Sequence, residues 1–370
     1  MTPFPILIGA LLSMMTPSPS QPVPFDSGRW QWNATEHRVE DHLGRKSLYL
    51  RNGTATVSDA RFTNGWIEFD IAFAEDRGFM GGIWRVQDPK NYEEFYLRPH
   101  QSGNPDATQY TPVFNGASGW QLYHGKRYTV PVTHRFNEWM HVKILFSGPQ
   151  AEIYIEDMEK PVLFVDGLKR GVEPGGVGVS VSEFAPAHFS NFSFAETDSP
   201  RIQGRQGRPG SPEPVPEGVI SSWWVSDAFP ESALEGKASL EEDELSRSWT
   251  RLDTERSGLA NLARVQGIHL RKNTVFARKV ILSDRERIAR LDFGFSDRVR
   301  VYLNRRLLYR GDDSYLSRDY RFLGSIGYFD ALYLPLQEGE NELLMAVSEE
   351  LGGWGLQAKL EQQAGLTVQD

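Results

Sequence analysis

Between Gly81 and Gly125 the chain reads GGIWRVQDPKNYEEFYLRPHQSGNPDATQYTPVFNGASGWQLYHG, and most of the side chains that could do chemistry are concentrated there. Arg85, Glu93, Glu94, Tyr96, Arg98, His100, Asp106, Gln109, Tyr110, Asn115, Trp120 and His124 fall between apolar anchors. Planar, charged and hydroxyl-bearing groups at that density exceed what a sheet needs in order to face water. They suit a surface that grips a polyol through charge-assisted hydrogen bonds while an aromatic ring covers an apolar face.

Alternation along a strand sorts these residues by side. Glu94, Tyr96, Arg98 and His100 share one face and Glu93, Phe95 and Leu97 the other, provided the strand runs unbroken to Pro99. Only one of the two glutamates can therefore enter a given groove. Glu94 is the first candidate for acid–base work and Glu93 the second. The plainer reading of Glu94, Arg98 and His100 is a surface ion pair beside a satisfied histidine. The loop that follows is long for a sandwich connection and polar along most of its course, as binding loops on rigid scaffolds commonly are. Asp106, Gln109, Tyr110, Asn115, Trp120 and His124 are its usable groups, and Trp120 and Tyr123 suit stacking on a sugar ring or closing a core beneath the loop.

A second acidic pair, Glu68 and Asp70 in GWIEFDIAF, lies on one strand face about 6–7 Å apart by strand rise. Glycoside hydrolysis asks for two carboxyls roughly 5–5.5 Å apart for retention or 6.5–9.5 Å for inversion. The next positions in phase are Ala72 and Ala74, so no third carboxyl completes an acidic strand motif, and a solvated outer face is the simpler expectation.

The elements that must position these groups are short alternating runs. SLYLRN, TATVSDARF, GWIEFDIAF, GGIWRV, EEFYLRPH, WMHVKILFSG, AEIYIEDM, PVLFVDGL, GGVGVSVS and HFSNFSFAE carry the period of half-buried strands, separated by Gly, Asn, Asp and Pro. Long amphipathic helical repeats are absent. The reading is all-β: a first sandwich over 25–196, a Pro/Gly-rich linker over 197–218, and a second, jelly-roll sandwich over 219–362. In the second, Trp249, Arg251, Glu255, Asn261, Arg264, Tyr315, Arg318, Tyr320 and Trp354 are the groups fit to meet a ligand, with Trp354 expected to be buried.

Composition narrows the partners. The 370 residues carry a net charge of −9 with no sustained basic tract, which argues against nucleic acid. The chain has no cysteine, so disulfides, thiol nucleophiles and thiolate metal sites are excluded. The histidines form no H-E-x-x-H or compact zinc spacing, and no metal site is expected beyond a structural calcium at acidic turns such as Asp312-Asp313 or Asp284. There is no G-x-S-x-G elbow, phosphate loop or dinucleotide fingerprint. At the start, Ile6–Met15 is an apolar run followed by a Pro/Ser spacer, so residues 1–24 read as a leader and the protein as secreted or periplasmic. No basic residue precedes the run, and it is too short for a stable membrane span.

The strand text GWIEFDIAF, GGIWRV, WMHVKILFSGPQAEIYIED, PVLFVDGL and GGVGVSV…AHFSNFSF resembles the concanavalin A-like lectin/glucanase group, which includes laminin-G-like modules. That resemblance covers about 25–196 and implies a sandwich used by lectins, glycan-binding modules, glycoside hydrolases and hydrolases of keto-disaccharides. In the last of these an Arg after a Gly-rich strand start and a downstream Glu-bearing strand line the cleft, an outline that Gly81–Arg85 and Tyr92–Glu94 follow loosely. The text VFARKVILSD, LDFGFSDRVRVYLNRRLLYRG, LPLQEGENELLMAV and GGWGLQAKL resembles the galactose-binding-like jelly roll. Related modules turn at Asn-Gly where this chain has Asn304-Arg305. Three functions follow as expectations: an accessory carbohydrate-binding protein first, then a glycoside or 3-keto-glycoside hydrolase using Glu94 or Glu93 with Arg85 and His100 orienting substrate, then a structural or protein-binding tandem.

Overall fold

The computed structural model describes residues 20–198, 200–204, 215–269 and 271–369. The apolar run at the start and the middle of the proline-rich linker lie outside the described residues. Every pairing between the described strands is antiparallel, as alternating apolar and polar runs joined by short turns require. The chain is all-β and builds two sandwiches.

In the first, one hydrogen-bonded path runs through the strands Leu163–Val165, Gln150–Ile155, Met140–Ser147, Gly65–Ala72, Ala187–Glu196, Arg45–Val57, Gly176–Val181, Met80–Asp88, Asn91–Leu97 and Thr108–Phe114. The sheet folds back on itself through Ala187–Glu196, which pairs with Gly65–Ala72 on one side and Arg45–Val57 on the other. Between the two layers lies the core of Ile67, Phe69, Ile71, Trp84, Phe95, Ile144, Phe146, Val177, Val179, Phe189 and Phe192. Most come from the in-phase positions of their strands, while Phe192 joins Phe189 in the core only because a bulge at Ser190–Ser193, with Asn191 at φ 52°, shifts the phase of that strand. Burying a ring or aliphatic chain of this size contributes about 1.5–3 kcal/mol.

The opposite side of the second layer is polar. Register places Asn33, Thr54, Ser180, Gly81, Tyr96 and Gln109 in one row, and Gln31, Thr56, Gly178, Ile83, Glu94 and Thr111 in the next. Neighbouring backbones approach closely here. A Cβ on Gly81 would lie 2.0 Å from the Phe95 carbonyl oxygen, and one on Gly178 would lie 2.0 Å from that of Ala55. Only glycine allows neighbouring backbones that close.

The second sandwich packs a sheet containing Trp249–Asp253, Ser222–Ser226, Thr274–Ser283, Gly339–Ser348, Arg298–Leu303 and Arg306–Asp312 against one of Ala260–Asn261, Gly355–Leu360, Arg287–Ser296 and Asp330–Leu336. Trp223, Phe293, Phe295, Met345 and Trp354 fill the space between. The turn at Asn304-Arg305 takes the left-handed conformation at both residues, with φ of 49° and 66°, although neither is glycine. Asn304 is held there on both sides: its Oδ1 accepts from the Glu342 amide at 2.8 Å, and its Nδ2 donates to Asn341 Oδ1 at 3.1 Å. Asp313 and Asp284, considered above as calcium ligands, are instead paired with Arg318 and Arg287.

Candidate functional site

The polar rows of the first sandwich form the floor of an open cleft of about 510 Å³. Strand Asn91–Leu97 sends Tyr92, Glu94 and Tyr96 into it, and Gly176–Val181 adds Ser180. Arg77 and Phe79 enter from the connection before Met80–Asp88, and Trp120 from the loop after Ala117–Ser118. Glu350 and Leu351 of the second sandwich stand on its border. A smaller concavity continues past Trp120 and is lined by Arg98, His100 and Asp106 together with Arg77, Phe79, Tyr315 and Leu351.

Glu94 is set deep in the floor, and Ser180 Oγ donates to its Oε1 at 2.7 Å. Burial pushes its carboxyl up to about 7, outweighing the serine hydroxyl that favours the anion. A carboxyl so placed holds a proton for part of the time at neutral pH. Tyr96 is raised to about 12 by the same burial, so its hydroxyl stays protonated. His100 is pulled below the usual imidazole value by burial first and by the nearby Arg98 and Arg77 guanidiniums second, so it is neutral at pH 7.

Beneath these groups a buried network fixes the loop that carries Trp120. Arg98 donates to Asp106 Oδ2 at 2.7 Å, to the Tyr96 hydroxyl at 3.0 Å and to Gln109 Oε1. The Gln109 amide in turn donates to the Trp120 and Tyr123 carbonyls at 2.8 and 2.5 Å. The Arg98 guanidinium also sits 5.7 Å from the centroid of the Trp120 ring. Trp120 is thus half-buried and held, with part of its surface left to the cleft.

Of the residues singled out from the sequence, the structure brings Glu94, Tyr96, Arg98, His100, Asp106 and Trp120 of the first sandwich and Tyr315 of the second to this cleft and its continuation. His100 arrives by a different route from the one alternation implied. The strand stops at Leu97, and Pro99–Gln101 is a 3-10 turn that swings the imidazole to the cleft end. Gln109 supports the site from below.

The remaining residues point elsewhere. Glu93 is fully buried on the core side, accepting from the Tyr110 hydroxyl at 2.7 Å and the Arg170 amide at 2.9 Å. Tyr110 is buried with it, and its oxygen accepts from the Lys169 amide. Arg85, at φ 49°, donates to the carbonyls of Thr63, Gly171 and Gly148 and ties three loops together. Asn115 donates to the Ala263 carbonyl and His124 contacts the Ile326 carbonyl, so both face the second sandwich. Tyr123 joins them there, donating to Glu255 at 2.6 Å. Much of the long loop is therefore an inter-sandwich contact and not a free binding loop. Glu68 and Asp70 lie on the far layer, engaged with His141, Lys143, Arg45 and Asn191.

Sequence reasoning missed Tyr92, Arg77, Phe79, Ser180, Glu350 and Leu351. Tyr92 is two residues before Glu94 and so in phase, a signal that alternation alone carries. Glu350 and Leu351 offered none, because they reach the cleft through the docking of the second sandwich. Among the described residues, no group of three or more His, Asp or Glu is placed to hold a metal ion.

No protein-family model matches the chain, and no curated protein is similar to it in sequence. Among solved structures, it is similar to the carbohydrate-binding module CBM66 from Bacillus subtilis, with 20% identity over 45% of this chain and 96% of that one and a TM-score of 0.35. It is also similar to a β-glucanase from Bacillus licheniformis (12% identity, 48% and 98% covered, TM-score 0.34). A protein with a galectin-like fold from Bacillus subtilis is a third likeness (10% identity, 48% and 95% covered, TM-score 0.36). At these values the fold rests on the strand pairing described above, and the question of ligand rests on the cleft itself.

Proposed function

We propose that this protein binds a poly- or oligosaccharide in the cleft of its first sandwich. The observation that carries the reading is the convergence of Trp120, Phe79 and Tyr96 with Glu94, Arg77 and Ser180 around one open hollow on a rigid sheet. Ring faces cover the apolar side of a sugar, and the polar groups match its hydroxyls. A net charge of −9 disfavours nucleic acid as the ligand. Export through the apolar run at Ile6–Met15 belongs to the same proposal, and the N-terminus of the mature protein, read by sequencing, tests it.

Calorimetry against a panel of plant, bacterial and marine polysaccharides tests the binding. Trp120→Ala should weaken it by about 2 kcal/mol, the cost of losing a central aromatic anchor, while the unfolding midpoint moves little. Absence of binding across the panel overturns the proposal.

One observation favours a second reading, in which the bound glycoside is also cleaved. A carboxyl raised to about 7, as that of Glu94 is, can hand a proton to a leaving oxygen at neutral pH. Assaying the same panel for released reducing or keto sugar separates the two readings. If cleavage occurs, Glu94→Gln should abolish it and leave binding in place. If none occurs with any bound sugar, the protein is a binder only.

A further inference from the structure

The outer face of the larger sheet in the second sandwich is only partly covered. The segment from Phe229 to Leu245 folds over it, setting Phe229, Leu234 and Leu240 against Phe276, Tyr302 and Leu344. That cover stops short of Trp224, whose side chain stays 40% exposed while Trp223 next to it is buried in the core. A lone aromatic at a surface is ordinary. Trp224, however, borders a hollow of about 290 Å³ together with Trp249, Arg278 and Gln369. Among the described residues, none of the first sandwich lines it.

Strand pairing makes the hollow. Thr274–Ser283 has Gly339–Ser348 along the whole of one side. Its other side is shared end to end by Ser222–Ser226, which pairs at Ala277 and Arg278, and by Leu366–Val368, which pairs from Ile281 to Ser283. Lys279 and Val280 lie in the gap between those two strands. The Gln369 amide donates to the Val280 carbonyl at 3.0 Å and the Lys279 ammonium to Ser222 Oγ at 2.8 Å, so both ends of the gap are fixed. The rim is held as well. Register puts Arg251, Trp224 and Arg278 in one row on the outer face. The Arg278 guanidinium pairs with Glu342 at 2.7 Å and lies 5.7 Å from the Trp249 ring centroid, and Arg251 pairs with Asp253 at 3.1 Å. Trp249 is itself packed against the cover. Each of the two guanidiniums is thus matched by a carboxylate, and the pairs offer donors and acceptors together with no net charge.

We propose that this hollow is a second saccharide site, separate from the cleft of the first sandwich, and that it takes a ring of a neutral glycan. The ring stacks on Trp224 with Trp249 bounding it. Its hydroxyls meet the pairs Arg278–Glu342 and Arg251–Asp253, whose charges strengthen each hydrogen bond they make. An anionic sugar would have to take an arginine from its carboxylate and would leave that carboxylate facing it. Two sites on one protein let it hold a single polymer at two points, and the second attachment then needs no new encounter from solution.

Native electrophoresis of the whole protein through gels holding soluble glucan, xylan, mannan, galactan or fructan tests this. Trp120→Ala, Trp224→Ala, Arg278→Met and the double tryptophan variant run beside the unaltered protein. Trp120→Ala should still be retarded, and the double variant should run freely. Trp224→Ala and Arg278→Met should each raise the polysaccharide concentration for half retardation by about tenfold or more, as losing an anchor at one of two linked sites does. Arg278→Met keeps an apolar stem beside Trp249, so a fall in both variants at unchanged unfolding midpoints excludes a folding defect. Undiminished retardation of both variants, in gels that retard the unaltered protein, overturns the second site and leaves the cleft reading standing. Free running of Trp120→Ala in every such gel overturns it as well. Loss of retardation in Trp224→Ala, with Trp120→Ala unaffected, supports this site and removes the cleft. No retardation of the unaltered protein in any gel removes both.

Discussion

Glu93 and Glu94 are adjacent in sequence and differ in which way the pleat turns them. Glu94 faces the cleft with one serine hydroxyl for company, whereas Glu93 faces the core with Tyr110 and the Arg170 amide donating to it. Burial raises the Glu93 carboxyl too, but its neighbours are structural and nothing from the cleft reaches it. Glu93→Ala would leave a buried tyrosine hydroxyl and a backbone amide without acceptors. Each such loss costs about 1–3 kcal/mol, so a destabilisation of about 2–6 kcal/mol is expected in urea unfolding, with saccharide affinity per folded molecule unchanged. A loss of affinity with no loss of stability would mean that the residue serves the ligand after all. The faces were legible from alternation. Which face was core and which was cleft required knowing what packs on the layer behind.

At the scale of elements, the far layer carries an ion cluster that ties its strands together. His141 on Met140–Ser147 contacts Asp70 Oδ1 at 2.6 Å and approaches Glu68 on Gly65–Ala72, while Asn191 on Ala187–Glu196 donates to Asp70. Hydrogen bonds to Asp70 and then Glu68 raise the His141 imidazole to about 9, against a desolvation effect that would lower it. The folded state therefore binds this proton more tightly than the unfolded chain does. The stabilisation is fully present below about pH 6.5, the ordinary imidazole value, and it is lost as pH rises through about 9. The urea midpoint should accordingly fall between pH 6.5 and 9, and His141→Gln should flatten that part of the profile. An unchanged slope in the variant would assign the alkaline loss to another group. Glu68 and Asp70 were visible in the sequence as a same-face pair. Their role as partners of a histidine was not, because His141 lies far along the chain and meets them only through strand register.

For the molecule as a whole, the decisive contact is between the sandwiches. Leu122, Tyr123, Leu259 and Ile326 form a small apolar cluster across it. Around that cluster Tyr123 and Lys169 converge on Glu255, Gln121 contacts Ser296 and Asp297, and Asn115 reaches the Ala263 carbonyl. Glycine is required at the tightest approaches. Besides Gly353 against Gln121, a Cβ on Gly355 would meet Leu122 Cδ2 at 2.6 Å. Gly353→Val should therefore prise the two sandwiches apart. Two separate thermal transitions are expected by calorimetry in place of one, together with a larger radius of gyration in solution scattering and weaker saccharide binding. A single transition at an unchanged temperature would show that the contact tolerates the added bulk.

The sequence by itself determined the β-character of the chain, the two-sandwich organisation and the strand Asn91–Leu97 with Glu94 and Tyr96 on one face. Each of these follows from local periodicity, which a chain of alternating apolar and polar residues expresses wherever it folds. It could not separate Arg85, Glu93 and Tyr110, whose polar groups are consumed by backbone and core partners, from residues that meet the cleft, since both kinds are written as polar side chains among apolar ones. Tertiary structure alone decided that the loop from Asn115 to His124 docks on the second sandwich, and that Glu350 and Leu351, more than two hundred residues beyond Trp120, stand beside it. Contacts of that separation are set by how two finished cores fit against each other, and no pattern along the chain encodes that fit.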